Sequence, residues 1–338
     1  MDAYIGVMTP YSLLDLAPIV AGGTVQQTLQ NSRDLAQHAE RLGYHRFWLA
    51  EHHNMPGVAS AATAVMIAHV GQGTTTIRLG AGGIMLPNHA PLQIAEQFGT
   101  LDAMFPGRID LGLGRAPGGD PLTAQALRRT LIGGEDRFPR DVLELQALLG
   151  PPSADQRVQA VPGSNSNVPL WILGSSTFGA QLAAMLGLPF AFASHFAPAQ
   201  MDEALDLYRT RFKPSAQLSA PYVMLGFNVF AAPTDAEAQL LATSWKQAFV
   251  NLRRGMPSQL LPPRSNFDET IAPHERAGLD QMLSCSAIGS PETVEQQLKS
   301  FITRTGADEL MLTALMFDHA ARMQSFEIAA KVLTRRAT

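Results

Sequence analysis

Apolar residues along this chain fall into two alternating patterns. Short runs rich in β-branched and aromatic residues occur at 4–8, 46–50, 77–86, 108–113, 170–173, 190–193, 223–231 and 309–313. Near-continuous apolar runs of that length suit strands buried on both faces. Between them lie longer stretches with helical spacing, at 25–42, 59–70, 91–104, 141–149, 178–186, 198–212, 235–253 and 291–305, and a last one at 319–333. Eight strands, each followed by a helix, predict a parallel sheet with its crossovers on the outside. The expected fold is therefore α/β: a (β/α)8 TIM barrel with insertions, occupying 1–338 as a single domain. A doubly wound open sheet also alternates, but eight units and no Gly-x-Gly-x-x-Gly turn after the first strand count against it.

Helix punctuation agrees with this reading. Ser290-Pro291-Glu292 has the form of a cap, a first-turn proline and a dipole-matching acid, while Asp235 and Asp318 open two other helices. Gly43, Gly187 and Gly306 each follow a helix and precede a strand. Two excursions exceed a minimal barrel: 151–168, rich in Pro, Ser and Asn, and the proline-rich 255–273. Loops that long in a compact domain serve as lids or binding loops, and 255–273 is expected to be a lid.

Composition narrows the class. Hydrophobic residues make up 46% of the 338 and charged residues 16%, enough apolar surface for a large core. The net charge of −4, with 25 basic and 29 acidic residues, leaves no footprint for nucleic acid. A lone cysteine, Cys285, excludes an internal disulfide or a cysteine-based metal site. The first residues carry neither a basic leader nor a sustained apolar core, and the uncharged stretch 54–77 is broken by Pro56, so a soluble cytoplasmic protein is expected.

In a barrel the chemistry sits just after the strands. After the second comes Glu51-His52-His53-Asn54, whose imidazoles could be metal ligands, acid–base groups or solvated residues. The metal reading would have to recruit His89, His195 or His319, with no supporting spacing. In Arg108-Ile-Asp-Leu-Gly-Leu-Gly114-Arg115, the residues Ile109, Leu111 and Leu113 alternate with a face thinned by Gly112 and Gly114, where something flat could approach the backbone. Arg115 at the strand end suits a phosphate, a surface pair with Asp120 being the alternative. Gly174-Ser-Ser-Thr-Phe-Gly179 opens a helix and makes either an anion site or an ordinary serine-rich cap. Together these suggest a phosphorylated cofactor. The four lysines lie inside helical patterns, no carboxylate pair stands at strand ends, and no Gly-x-Ser-x-Gly occurs; this sets aside Schiff-base, glycosidase and hydrolase-triad chemistry.

These motifs resemble those of the bacterial luciferase-like flavin-dependent monooxygenases, non-luminescent branch. The resemblance is carried by Leu49-Ala-Glu-His-His-Asn54, Leu79-Gly-Ala-Gly-Gly-Ile-Met-Leu-Pro87 with Ile94-Ala-Glu-Gln97, Gly107-Arg-Ile-Asp-Leu-Gly-Leu-Gly-Arg115, the Gly-Ser-Ser helix start, and Gly306-Ala-Asp-Glu309 with Phe317-Asp-His-Ala-Ala-Arg322. It implies a barrel that takes reduced FMN as co-substrate and, with O2, forms a C4a-peroxyflavin that oxygenates a small hydrophobic substrate. His52 matches the family's catalytic histidine, Gly82-Gly83 its non-prolyl cis peptide beneath the isoalloxazine, and Arg115 and Ser176, with Ser175 beside them, its phosphate ligands. Gly179 stands where the family has a further hydroxyl, and Gly114 where luciferase has a cysteine, so light emission is not expected. The resemblance further implies a separate NAD(P)H:flavin reductase delivering FMN by diffusion, a mobile lid at 255–273, and a homodimer through the second and third helices. The alternatives are a deazaflavin-dependent dehydrogenase or reductase of the same fold and a non-catalytic flavin-binding protein.

Overall fold

The structure, a computed structural model, describes residues 9–116, 121–127 and 134–335. Among the described residues there are nine strands: β1 (Tyr11–Asp15), β2 (Arg46–Leu49), β3 (Arg78–Met85), β4 (Ile109–Gly114), β5 (Leu170–Gly174), β6 (Phe190–Phe192), β7 (Val223–Ala231), β8 (Ser286–Gly289) and β9 (Glu309–Thr313). They pair in the order β6-β5-β4-β3-β2-β1-β9-β7, and a further β6–β7 pairing closes eight of them into a parallel barrel. The ninth, β8, stands outside the ring and pairs only with the far half of β7, Asn228–Ala231. Among the described residues the helices are α1 (Val25–Arg41), α2 (Thr63–Gly71), α3 (Pro91–Met104), α4 (Pro121–Ala126), α5 (Gly134–Leu149), α6 (Thr177–Leu186), α7 (Met201–Arg211), α8 (Asp235–Arg253), α9 (Pro273–Met282), α10 (Pro291–Thr305) and α11 (His319–Thr334). The expected TIM barrel is thus the observed fold.

Seven expected strands stand where periodicity puts them, and the first does not. Stretch 4–8 lies outside the described residues, and the first barrel strand is Tyr11–Asp15, which pairs with both β2 and β9. Its Ser12 and Asp15 make it look polar, but both are fully buried with remote partners. The Ser12 hydroxyl donates to Glu309, and Arg322 on α11 donates to Asp15 at 2.8 Å. Strand β8 is too short and too poor in large residues to register as a strand, and α9 follows directly on the proline-rich stretch, with Pro273 at its first turn. The expected 198–212 helix begins as a 3-10 turn at Pro198–Gln200, and the 59–70 helix begins only at Thr63. Thr24, Thr234, Ser290 and Asp318 cap their helices with side-chain oxygens, and Gly187 and Gly306 end theirs in the left-handed conformation.

Alternation along the strands separates two cores. Ile109, Leu111 and Leu113 of β4 join the shell between strands and helices, whereas Leu14, Trp48, Trp171, Met224 and Met311 fill the barrel. Trp48 and Trp171 meet edge to face at 5.2 Å. Beneath them, at the strands' N-terminal ends, lies a buried ionic layer. Arg46 of β2 reaches Asp110 of β4 at 2.7 Å and Glu309 of β9 at 3.0 Å, Arg78 of β3 reaches Asp110 at 2.6 Å, and the Tyr222 hydroxyl donates to Glu309 at 2.8 Å. Asp110 and Glu309 are both fully buried, so each needs these cations and donors to remain ionised.

Removing one carboxylate strands a buried guanidinium. Asp110→Ala should therefore lower the free energy of unfolding by about 3–5 kcal/mol, read from the urea midpoint. Lys299→Ala, at the exposed helical pair with Glu295, should leave that midpoint nearly unmoved.

Candidate active site

At the C-terminal end of the barrel a small cavity of about 50 Å3 opens beside Trp48. Each barrel strand except β4 contributes to its wall, with Leu14, Trp48, Gly82, Leu173, Met224 and Met311 among the residues involved. The loops after the strands bring the candidate residues to this end.

Glu51, two residues past the end of β2, is 1% exposed and organises the β2 loop. Its Oε1 accepts from His53 Nε2 at 2.8 Å and His89 Nε2 at 2.9 Å, and its Oε2 accepts from the Met85 N–H at 3.0 Å. Burial pushes its carboxyl up, but the hydrogen bond and charge of His89, the His53 bond and the Met85 N–H outweigh that and hold it below the usual carboxylate range. Glu51 is thus not solitary: His53 and His89 are tethered to a single carboxylate oxygen. Among the described residues no group of three or more His, Cys, Asp or Glu has the arrangement to hold a metal, and His319 pairs instead with Asp34 at 3.1 Å.

Two other imidazoles are poised differently. His52 is half-buried, and burial lowers its pKa from the ordinary histidine value, the neighbouring His53 adding to this and the Glu51 charge opposing it. His195, three residues past the end of β6, lines the cavity with its pKa pushed down to about 4, first by burial and then by repulsion from His52. Both are neutral at pH 7. Sequence reasoning weighed His195 as a metal ligand without supporting spacing; its signal was its place just after a strand, the same that singled out His52.

The Gly82–Gly83 peptide is cis, and the β3–β4 register shifts there, between Ala81 and Ile84. Gly82 lines the cavity, where a Cβ would lie 2.9 Å from Leu14 Cδ1 and 3.0 Å from Trp48 Cε3. The thinned face of β4 has a different use from the one expected. A Cβ on Gly112 would lie 2.3 Å from the Ala81 carbonyl oxygen, and one on Gly83 2.7 Å from that of Gly112, so the bulged β3 backbone takes up the room. A Cβ on Gly114 would meet Met85 Sδ at 3.1 Å.

Arg115 follows β4 and lays its guanidinium over the Phe178 ring, 4.1 Å from the centroid, on the first turn of α6. This brings it to the helix start that Ser175 and Ser176 form. Ser176 is the N-cap residue, yet its hydroxyl makes no capping bond, and the first turn holds no acidic side chain. No described carboxylate pairs with Arg115; Asp120 lies outside the described residues. Gly179 is buried under the helix, where a Cβ would stand 3.3 Å from the Phe190 ring, so that position serves helix-to-strand packing and could meet a ligand only through its backbone. Stretch 255–273 lies on the loops after β1 and β2: Leu260 exchanges backbone bonds with Ile19 and Ala21, a Gly57 Cβ would lie 2.5 Å from the Ser258 carbonyl, and Asp268 pairs with buried Lys246 at 2.7 Å.

Comparison with known proteins bears on the class of the chain. The family model described as luciferase-like monooxygenase matches residues 9–309. The chain belongs to the luciferase-like monooxygenase family. It is therefore an enzyme, an oxidoreductase of that class. It is 54% identical over 322 residues to a luciferase-like monooxygenase of Escherichia coli (strain K12), covering 95% of this chain and 96% of that protein. The crystal structure of apo-MsnO8 superposes with a TM-score of 0.84 at 35% identity, covering 97% and 100% of the two chains. The oxygenating constituent of 3,6-diketocamphane monooxygenase of Pseudomonas putida, solved in complex with FMN, shares the fold at 19% identity with a TM-score of 0.72, covering 96% and 97%. No helix among the described residues is long and apolar enough to cross a membrane.

Because Glu51's carboxyl lies below its unfolded value, its contribution is complete above about pH 4.3 and is lost as pH falls through the lowered value. Glu51→Gln should cost about 1.5–3 kcal/mol at pH 7, the worth of hydrogen bonds to a charged group. Paired urea titrations at pH 7 and below pH ~4 should show that deficit shrinking with acid; an undiminished deficit would mean that shape, not charge, is what the variant loses.

Proposed function

We propose that this luciferase-like enzyme is an FMN-dependent monooxygenase that uses O2 and reduced FMN, supplied by a separate NAD(P)H:flavin reductase, to oxygenate a small hydrophobic substrate. The observation that carries the reading is the meeting, at one end of the barrel, of an apolar cavity lined by neutral His195, with His52 near enough to lower its pKa, and of Arg115 laid over Phe178 beside the Ser176 helix start. FMN fits the residues present: the free Ser176 hydroxyl, Ser175, the helix dipole and Arg115 would hold its phosphate, and the Gly82–Gly83 backbone would face its ring system, with Gly179 offering only backbone. When bound, reduced FMN supplies two electrons and the carbon at which O2 is activated. The similarity to the Escherichia coli relative and the FMN in the Pseudomonas putida neighbour of like fold support the choice.

The chain's own residues supply proton handling and shelter. His52 is the general base or acid, and its lowered pKa keeps it neutral, able to accept a proton, at and below physiological pH. The cavity walls exclude water, and 255–273, laid over the mouth-side loops, acts as the lid. The whole of 1–338 forms one cytoplasmic barrel unit, and it dimerises through α2 and α3, which expose Val65 (69%) and Met104 (44%).

The deciding experiment loads the protein with reduced FMN without oxygen, mixes it rapidly with aerated buffer and follows the near-ultraviolet flavin spectrum. A lasting species distinct from oxidised and reduced flavin is expected; immediate reversion at the rate of free flavin, or binding of a reduced deazaflavin in preference to FMN, overturns the proposal. His52→Ala should lower kcat by about 100-fold or more with little change in FMN affinity. Arg115→Ala should weaken FMN binding by roughly 10–100-fold, the worth of a charged hydrogen-bond partner. With His52 as general base and its pKa below the ordinary ~6.5, kcat/KM should hold as pH falls past 6.5 and drop only at lower pH, whereas a rise with acid would assign it the role of acid.

A further inference from the structure

The cavity wall is almost devoid of hydrogen-bonding side chains. Among its lining residues only Trp48 and His195 carry a side-chain N–H, and the Trp48 indole already donates to Asp110 at 3.3 Å. His195 alone has capacity to spare. Its Nδ1 is buried without a partner, its backbone carbonyl is held by the Asn228 amide at 2.9 Å, and its ring lies against Gly226, where a Cβ would stand 2.0 Å from Nδ1. Glycine at this point of β7 is therefore what lets the Nδ1 edge of the imidazole come against the strand. Two flanking bonds fix the loop: Ser194 Oγ donates to the Gly226 carbonyl at 2.6 Å, and the Asn228 amide also reaches Ser286 Oγ at 3.2 Å.

We infer that His195 is the substrate-orienting residue of the cavity, presenting one imidazole N–H to a neutral hydrogen-bond acceptor, a carbonyl oxygen, on an otherwise apolar substrate. This rests on the reading of the cavity as the substrate site of a monooxygenase and specifies the substrate class. With Nδ1 enclosed against Gly226 and nothing there to receive a proton, the proton belongs on Nε2, the edge turned away from the strand. The low pKa of the ring agrees, since a neutral imidazole polarises a carbonyl without offering a countercharge to a carboxylate. Among the described residues no lysine, arginine, aspartate or glutamate lines the wall, so charged substrates would lose their hydration there without compensation. A pocket of this kind rejects a ligand lacking the acceptor more strongly than one differing by a methylene.

The test uses the full chain and three probes of similar size: cyclohexanone, methylcyclohexane and cyclohexanecarboxylate. Titration calorimetry should show cyclohexanone binding to the wild type and no binding of the carboxylate. His195→Phe, which keeps a flat apolar ring, should weaken cyclohexanone at least tenfold and leave methylcyclohexane within twofold. His195→Gln, which restores an N–H donor, should recover most of the ketone affinity, and Gly226→Ala, which displaces the ring, should behave like His195→Phe. With carbonyl-13C cyclohexanone, the bound carbonyl resonance should move downfield in wild type and His195→Gln but not in His195→Phe, a signature that packing alone does not produce. Absence of ketone binding to the wild type, equal loss of ketone and hydrocarbon in His195→Phe, or unchanged ketone affinity would overturn the inference. Weakened oxidised FMN binding in His195→Phe, with ketone affinity intact, would also overturn it by placing the acceptor on the flavin. These titrations need neither oxygen nor reduced flavin, so failure of the monooxygenase reading would show in the rapid-mixing experiment and leave them unaffected.

Discussion

A charge buried inside a closed barrel has no water to turn to, and this constraint organises both ends of the molecule. At the N-terminal end Asp110 and Glu309, fully buried, are satisfied by Arg46, Arg78, Ser12 and Tyr222, which come from β1, β2, β3 and the approach to β7. No two adjacent strands could hold such a set; only closure brings β4 and β9 within reach of the same arginine. The ionic layer is thus a check on register, since sliding β2 by one residue would turn Arg46 out of the barrel and bring an apolar neighbour in against two carboxylates.

The same logic, applied once at the C-terminal end, builds the site. Glu51 is buried as deeply as the lower carboxylates, but its partners are imidazoles and a backbone N–H. It therefore fixes the loops after β2 and β3 to each other and consumes two histidines in doing so. His52 and His195 remain uncommitted; burial lowers the pKa of both, His53 adding to the effect on His52 and His52 to that on His195. A run of two adjacent histidines is in this way divided into one that holds the loop and one available for chemistry.

The glycines of β3 and β4 show how backbone replaces side chain between these two ends. Gly80, Gly82, Gly83 and Gly112 let β3 bulge toward β4, with the Ala81 carbonyl in the space a Gly112 side chain would occupy. The inward face of β4 is consequently closed by its neighbour. What reaches the cavity is Gly82, and at the far side Gly226, whose missing Cβ gives His195 its resting place.

The sequence by itself determined the alternation of strand and helix, the helix caps and the residues that follow each strand, because these depend on local periodicity and on the conformations of individual residues. Seven barrel strands were legible on that basis, as were the places of His52 and Arg115 just after their strands and of Ser176 at a helix start, whereas the cis Gly82–Gly83 peptide was implied only by the family resemblance. Strand β1 was not, since Ser12 and Asp15 read as surface residues until Glu309 and Arg322, some three hundred positions away, become their partners. Nor were the Glu51–His89 bond, the use of Gly112 or the role of His195, each of which depends on a contact between separate strands or loops. Tertiary structure alone decided these: whether a polar group is a liability or a tool rests on what faces it after burial, and that is set by closure of the barrel rather than by any neighbour along the chain.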